Sequence, residues 1–87
     1  MKRWRVDSSM FIAINYDPKT LVMELELHDG SVWRYLEIPS PIVRDMLDAE
    51  SKGKFFHAWI RGLFERVVVR DTAGRDLEEL YGRWARA

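Results

Sequence analysis

Apolar residues occupy every second position from Leu21 to Leu27, and this alternation constrains the fold of the chain more than any other feature. It predicts a β-strand with one buried face, because successive side chains of a strand point to opposite sides. Glu24 and Glu26 then lie on the solvent face. The following His28-Asp29-Gly30 predicts a turn, since Gly30 can adopt positive φ. We therefore expect a hairpin with a next strand over Ser31–Ile38.

The register of this hairpin decides where its aromatic residues lie. A two-residue Asp29-Gly30 loop would expose Trp33 and Tyr35 on the acidic face of the preceding strand. A three-residue loop with a bulge at Gly30 buries both rings and places opposite charges across from each other. The second register is favoured on both grounds, and it gives three cross-strand pairs: Leu25 with Trp33, Met23 with Tyr35, and Glu24 with Arg34. Ile38 then needs a bend near Glu37 to reach the core.

The segments on either side of the hairpin complete an α+β pattern. Phe11–Tyr16 predicts a first strand, with Ile12, Ile14 and Tyr16 on one face. Ser40-Pro41 is a typical helix start, with an N-cap Ser40 and a helix over Pro41–Glu50. A second helix is expected over Lys54–Arg61, ended by Gly62. Its inward residues at helical spacing are Phe56, Trp59, Ile60 and Leu63.

The C-terminal part of the chain adds two shorter features. Val67-Val68-Val69 predicts an extended piece and a candidate fourth strand at a sheet edge. Asp76–Arg86 predicts an amphipathic helix whose apolar face carries Leu77, Leu80, Tyr81 and Trp84. The expected fold is an α+β domain with a three-stranded antiparallel β-meander, or four strands with the valine segment, packed against two helices, plus a C-terminal helix. The expected division is an N-terminal arm (1–7), a domain (8–70) and a helical extension (71–87).

The residue inventory disfavours catalysis and metal binding. The chain has no cysteine, and its two histidines, His28 and His57, are 29 positions apart without carboxylates at ligand spacing. No glycine-rich phosphate loop or nucleophile elbow is present. We expect no enzyme activity, no metal, no cofactor and no small-molecule substrate. The longest uncharged run, Ser8 to Tyr16, is far below the roughly 20 residues of a membrane span, so a cytoplasmic location without membrane contact is the default expectation.

Positive charge is concentrated in one segment, although the chain as a whole is neutral. From Lys52 to Arg70, five basic residues (Lys52, Lys54, Arg61, Arg66, Arg70) stand against Glu65 alone, which gives a net +4. Four aromatic residues lie among them, a composition typical of nucleic-acid surfaces. The alternative is an ordinary solvated helix face with its aromatics in the core. Ser51-Lys52-Gly53-Lys54 has a similar pair of interpretations, an anion site at a helix start or a plain N-terminal cap.

Several short motifs in a fixed order resemble the KTSC domain, a small family named for the C-terminal domain of some lysyl-tRNA synthetases and also found as free-standing bacterial proteins. The motifs are Ser8-Ser9, Ile14-Asn15-Tyr16-Asp17, Trp33-Arg34-Tyr35, Ile38-Pro39, Ser51-Lys52-Gly53-Lys54-Phe55-Phe56 and Ile60-Arg61. The resemblance covers about Ser8 to Phe64. It implies family-motif positions at Ser9, Tyr16, Trp33, Tyr35, Gly53 and Phe56, with Trp33 in place of the usual Tyr and His57 in place of a common Asn. It also implies a fold like that above, a possible link to RNA and no catalytic residues.

Two functional hypotheses follow. The first is an RNA- or tRNA-binding module in which basic side chains contact phosphates, namely Lys52, Lys54, Arg61, Arg66 and Arg34. Any exposed aromatic among Trp33, Tyr35 and Phe55 would stack on bases. The second is a protein-interaction module or homodimer that uses the C-terminal amphipathic helix. An enzyme subunit is a third interpretation, for which the sequence shows no pocket.

Overall fold

The computed structural model describes residues 1–71 and contains one antiparallel five-stranded sheet and two helices. In chain order the elements are β1 (Lys2–Arg5), β2 (Phe11–Asp17), β3 (Val22–Leu27), β4 (Val32–Tyr35), α1 (Ser40–Asp48), α2 (Lys52–Trp59) and β5 (Arg66–Arg70). The strands follow one another across the sheet in the same order, so the two helices form the connection between the neighbouring strands β4 and β5. The predicted C-terminal helix lies outside the described residues.

The hairpin of β3 and β4 has the favoured register. Met23 pairs with Tyr35, Leu25 with Trp33, and Glu24 with Arg34. All four apolar side chains are buried, whereas the charged pair lies on the opposite face, as the alternation of a strand requires. The predicted bend is also present, because Glu37 adopts a positive φ of 57° and Ile38 is fully buried.

The predicted number of strands is wrong, because the sheet has a strand at each edge beyond the meander. The valine segment forms β5, which pairs with β4 at the sheet edge and confirms the candidate fourth strand. Lys2–Arg5, expected to be an arm, forms β1 and pairs with β2. Three of its four residues are basic and only Trp4 is partly buried, so the segment lacks the apolar alternation by which strands are recognised.

The inward face of β2 also differs from the prediction. The pairing of β2 with β3 shifts between Phe11 and Ala13, which is a β-bulge. The extra residue reverses the alternation at this point. Phe11 is therefore buried together with Ile14 and Tyr16, and Ile12 is only partly buried.

The two helices pack on one face of the sheet and start at caps of different kinds. Helix α1 begins at Ser40, one residue earlier than predicted, after Pro39, which provides no side-chain cap bond. Helix α2 has Ser51 as its N-cap, and the Ser51 hydroxyl accepts a hydrogen bond from the Lys54 amide at 3.2 Å. Neither helix in residues 1–71 is long and apolar enough to cross a membrane.

The core lies between this sheet face and the helices. Its buried apolar residues come from every strand except β1 and from both helices. The helices and the turn after α2 contribute Val43, Met46, Phe56 and Ile60. Phe56 is at its centre, with ring centroids 5.4 Å from Phe11, 5.6 Å from Tyr35 and 6.0 Å from Trp33. These contacts fix the rotation of α2 and therefore decide which of its residues face solvent.

Candidate nucleic-acid interface

The solvent side of α2 follows from the burial of Phe56. Phe56 is 1% exposed and Ile60, at the C-cap, is fully buried. Because successive helical residues are rotated by about 100°, the residues opposite this pair project away from the core. Lys54 and His57 are accordingly exposed, and so is Arg61 in the turn after the helix, whose guanidinium is 3.4 Å from Nδ1 of His57. This side of the helix therefore presents cationic groups to solvent.

Two aromatic rings lie along the flank of the same helix. Trp59 is 57% exposed, and its ring centroid is 6.5 Å from that of the partly buried Phe55, at an angle of 37°. Leu63, in the turn after the helix, is 65% exposed. The prediction that Trp59 and Leu63 face the core is wrong. Trp59 is rotated to one side of the Phe56–Ile60 stripe, and Leu63 lies beyond the end of α2, where helical spacing no longer applies.

We use the name α2 surface for the set Lys54, Phe55, His57, Trp59 and Arg61. No acidic residue occurs between Ser51 and Phe64, so no neighbour in this segment neutralises Lys54 or Arg61. A helix that carries both an indole ring more than half exposed and cations without an acidic neighbour in the segment is suited to an anionic ligand with aromatic bases.

The other residues predicted to bind nucleic acid lie elsewhere. Lys52 is partly buried, and its Nζ donates a hydrogen bond to the Ala49 carbonyl oxygen at 2.6 Å. Arg34 lies on the sheet face that the helices leave open and is paired with Glu24 at 3.1 Å. Arg66 extends on the helix side of the sheet, with Cζ 5.1 Å from the ring centroid of Trp33. Of the predicted set, Lys54, Phe55 and Arg61 therefore belong to the α2 surface, with Arg61 in the turn directly after the helix and close to His57, and the other three residues lie outside that surface.

Positive charge on the open sheet face is partly neutralised by neighbouring carboxylates. Arg3 forms two hydrogen bonds with Glu26, from Nε at 2.8 Å and from Nη2 at 3.1 Å. Asn15 donates to the same carboxylate at 2.7 Å. The hydrogen bond from Arg3 and, to a smaller extent, that from Asn15 hold the pKa of Glu26 below its ordinary value. With Arg34 also paired, this face is a weaker candidate for binding phosphates than the α2 surface.

The family-motif residues are mainly structural. Tyr16, Trp33, Tyr35 and Phe56 are all buried, and the Tyr16 hydroxyl donates to the Ile38 carbonyl oxygen at 2.6 Å. Ser9 is exposed, while the neighbouring Ser8 hydroxyl accepts hydrogen bonds from the backbone at the start of β2. A Cβ at Gly53 would be 4.0 Å from that of Met10, an ordinary contact. Within residues 1–71, no group of three or more His, Cys, Asp or Glu side chains is placed to hold a metal ion.

Comparison with known proteins agrees with this fold. The family model of the KTSC domain matches residues 7–64, which is more than half of the chain. The chain belongs to the KTSC family. The crystal structure of a KTSC domain protein from Yersinia pestis superposes with a TM-score of 0.76 at 30% sequence identity, covering 79% of this chain and 97% of that one.

The sequence relatives of this KTSC domain are of two kinds. An uncharacterized protein of Stutzerimonas stutzeri is 35% identical over 57 residues, which are 66% of this chain and 80% of that protein. A lysine–tRNA ligase of Nostoc sp. is 34% identical over 59 residues, 68% of this chain. The chain spans only 10% of the length of that ligase. The domain therefore occurs both in small proteins and as a short segment of a much larger one.

Proposed function

We propose that this KTSC domain is a non-catalytic RNA-binding module and that the α2 surface contacts the RNA. The observation that carries the proposal is the 57% exposure of Trp59 on a helix that has cations and no acid. Lys54 and Arg61 would contact backbone phosphates, which supply most of the affinity. Trp59, supported by Phe55, would stack on an unpaired base.

The relatives support RNA as the ligand. Lysine–tRNA ligases contain a segment similar to this domain, and a small module in such a protein has tRNA as its nearest nucleic acid. We therefore propose tRNA, or a structured RNA with unpaired loops, as the ligand class. Unpaired nucleotides are favoured because an A-form duplex keeps its base faces stacked and presents mainly its backbone.

A protein partner is the competing ligand. The exposed Leu63, close in sequence to Trp59, gives this part of the chain some apolar character, and apolar patches also serve protein interfaces. The two functions differ in their response to salt. Phosphate contacts release counterions, so RNA affinity falls steeply as salt concentration rises, whereas an apolar protein interface is much less affected.

The test is a fluorescence-anisotropy titration of a labelled tRNA transcript at two salt concentrations. We expect binding at low salt that weakens as salt is raised. A Lys54→Glu/Arg61→Glu variant should weaken binding strongly and lower the salt slope by about 2, since roughly one unit is lost for each phosphate contact. The matched control is Lys19→Glu/Arg44→Glu, which makes the same change in charge at exposed positions outside the α2 surface and should bind as the wild type does.

A second variant tests the role of the indole. Trp59→Leu keeps an apolar side chain but removes the stacking surface, so RNA affinity should fall by roughly 5- to 150-fold, the equivalent of about 1–3 kcal/mol. A protein partner held by apolar contact would tolerate this change better. No binding at low salt, or an affinity that does not respond to salt, would overturn the proposal.

A further inference from the structure

Strand β1 forms one edge of the sheet, and part of its backbone points away from the neighbouring strand. Val6, directly after β1, donates its amide hydrogen to the Ile12 carbonyl oxygen of β2 at 3.0 Å. Because the backbone groups of successive strand residues point to opposite edges, those of Trp4 also face β2, whereas those of Arg3 and Arg5 face outward. No strand lies on this outer side within residues 1–71. The outer edge of β1 therefore offers amide donors and carbonyl acceptors to a further strand.

A groove lies beside this edge, between β1 and the helices. It has a volume of about 420 Å³ and is lined by Trp4, Arg5, Val6, Asp7, Leu47 and Lys52. Trp4, Val6 and Leu47 are only partly buried, so contact with an apolar ligand group would remove more of their surface from water. The Lys52 ammonium is held by the Ala49 carbonyl oxygen at 2.6 Å and keeps further N–H donors for a ligand. The groove therefore combines an apolar wall with a positioned cation.

The charge of β1 determines which kind of strand can pair with it. Three of its four residues are basic. Arg3 is paired with Glu26, but within residues 1–71 neither Lys2 nor Arg5 forms an ion pair. Pairing with β1 of a second copy would place like charges across from each other and is therefore unfavourable. An acidic strand makes the opposite match. Its backbone can also use the outward carbonyl groups, which nucleic-acid phosphates cannot, because they only accept hydrogen bonds.

We propose that the outer edge of β1 binds an extended acidic segment of a partner protein, which adds an antiparallel strand to the sheet. The side chain of Trp4 lies on the helix side, because Trp4 pairs with the buried Ile14. The ligand residue opposite Trp4 therefore points toward the groove and is apolar. The residues on either side of it point to the open sheet face, opposite Arg3 and Arg5, and are acidic. Arg5 contributes more than Arg3, whose guanidinium already bonds Glu26.

The experiment is an NMR titration of the full chain with a short capped peptide in which glutamate and valine alternate. We expect saturable shifts of the Arg3 and Arg5 amides and of the Trp4 indole. Hydrogen exchange should slow several-fold at the Arg3 and Arg5 amides, because they acquire acceptors, whereas the Trp4 amide, already paired with β2, should change little. Two control peptides should not bind. One carries lysine in place of glutamate, and the other is N-methylated at the glutamate amides, which face β1 in this register.

Two variants of Arg5 separate backbone pairing from charge. Arg5→Pro removes an outward amide hydrogen and leaves the bonds to β2 intact, as an edge strand tolerates, and it should abolish peptide binding. Arg5→Glu keeps the amide but reverses the charge and should weaken binding by roughly 5-fold or more. Arg44→Glu, the same change at an exposed position of α1, should bind as the wild type does. If the amide spectrum of Arg5→Pro departs from the wild-type fold, Arg5→Glu and the N-methylated peptide decide the test.

Three results would overturn the proposal. The first is the absence of saturable shifts with the glutamate peptide, or equal binding of its N-methylated form. The second is a concentration-dependent shift of the β1 amides without peptide, which would assign the edge to a second copy. The third is a shift of the Arg5 amide with the tRNA transcript but not with the peptide, which would assign the edge to nucleic acid. No residue of the α2 surface takes part, so the RNA-binding proposal keeps its own separate test.

Discussion

The orientation of α2 can be tested by comparing two adjacent phenylalanines. Phe56 is 1% exposed and contacts three aromatic rings of the sheet at 5.4–6.0 Å. Phe55 is only partly buried, and its one described ring contact is with Trp59 at 6.5 Å. If α2 has the rotation seen in the structure, Phe56→Leu and Phe55→Leu must have very different effects on stability, although the chemical change is the same.

The expected size of the difference follows from these contacts. Aromatic pairs contribute about 0.5–1.5 kcal/mol each beyond the area that they bury. Phe56→Leu keeps most of the apolar volume but loses three such contacts, so it should lower the free energy of unfolding by about 2–3 kcal/mol. Phe55→Leu should cost no more than about 1 kcal/mol on the same scale. A domain of this length has only about 4–13 kcal/mol of stability, so the first loss is a large fraction.

Urea unfolding followed by far-UV circular dichroism measures both variants against the wild type. Thermal scans should show a fall in Tm of roughly 10–20 °C for Phe56→Leu, since about 1 kcal/mol corresponds to 4–8 °C in a domain of this size. Equal losses for the two variants, or a larger loss for Phe55→Leu, would refute the orientation of α2. The α2 surface would then have to be assigned to other residues.

Three further predictions concern the sheet, the bend and the cap. Because its partners lower the pKa of Glu26, the carboxylate stabilises the fold above its ordinary pKa, and this contribution is lost as pH falls through the folded-state value. Glu26→Gln should therefore lower the urea midpoint at pH 7 but not near pH ~2. Glu37→Gly should leave Tm unchanged or raise it by up to the equivalent of about 1 kcal/mol, because glycine avoids the strain of positive φ, whereas Glu37→Val should lower Tm. Ser51→Ala should cost about 1 kcal/mol in urea unfolding and Ser40→Ala less, since only Ser51 caps a helix with its side chain.

The hairpin was predictable because several physical requirements agree there. Burial of Trp33 and Tyr35, the pairing of opposite charges and the geometry of the Gly30 turn all favour one register. Two-residue periodicity is reliable when one face of a strand is covered and the other is solvated. The same reasoning placed the bend at Glu37, because Ile38 could not otherwise reach the core.

The edges of the sheet and the C-terminal end of α2 were harder to predict, because contacts with distant parts of the chain determine their structure. β1 is held by its pairing with β2 and not by an apolar pattern of its own. Trp59 is at helical spacing from Phe56, but the helix ends at Trp59 and its core side is filled by Phe56 and Ile60. The bulge near Phe11 depends on the partner strand and cannot be recognised from β2 alone.

The distribution of the basic residues shows why a charge count is insufficient to locate a site. Five cations follow one another from Lys52 to Arg70, yet the fold directs them to different surroundings. Lys52 donates a hydrogen bond to the carbonyl oxygen of Ala49, the C-cap of α1, and Arg66 lies against Trp33. Lys54 lies one turn before His57 on α2, and the Arg61 guanidinium, from the turn after the helix, is 3.4 Å from His57 Nδ1, so individual contacts and not the density of charge place these two cations.

The residues that identify the chain as a KTSC domain differ from the residues proposed to contact the ligand. The buried motif residues Tyr16, Trp33, Tyr35 and Phe56 determine how the helices pack on the sheet, so a match to the family pattern mainly reports a fold. A buried side chain cannot select an RNA directly. It can only position exposed residues, as Phe56 does when it sets the rotation of α2 and so places the residues that we propose to contact RNA. Ligand preference within the family should therefore vary with the exposed positions of α2, and Trp59, which is outside the motif, is the position of this chain on which the proposed base stacking depends.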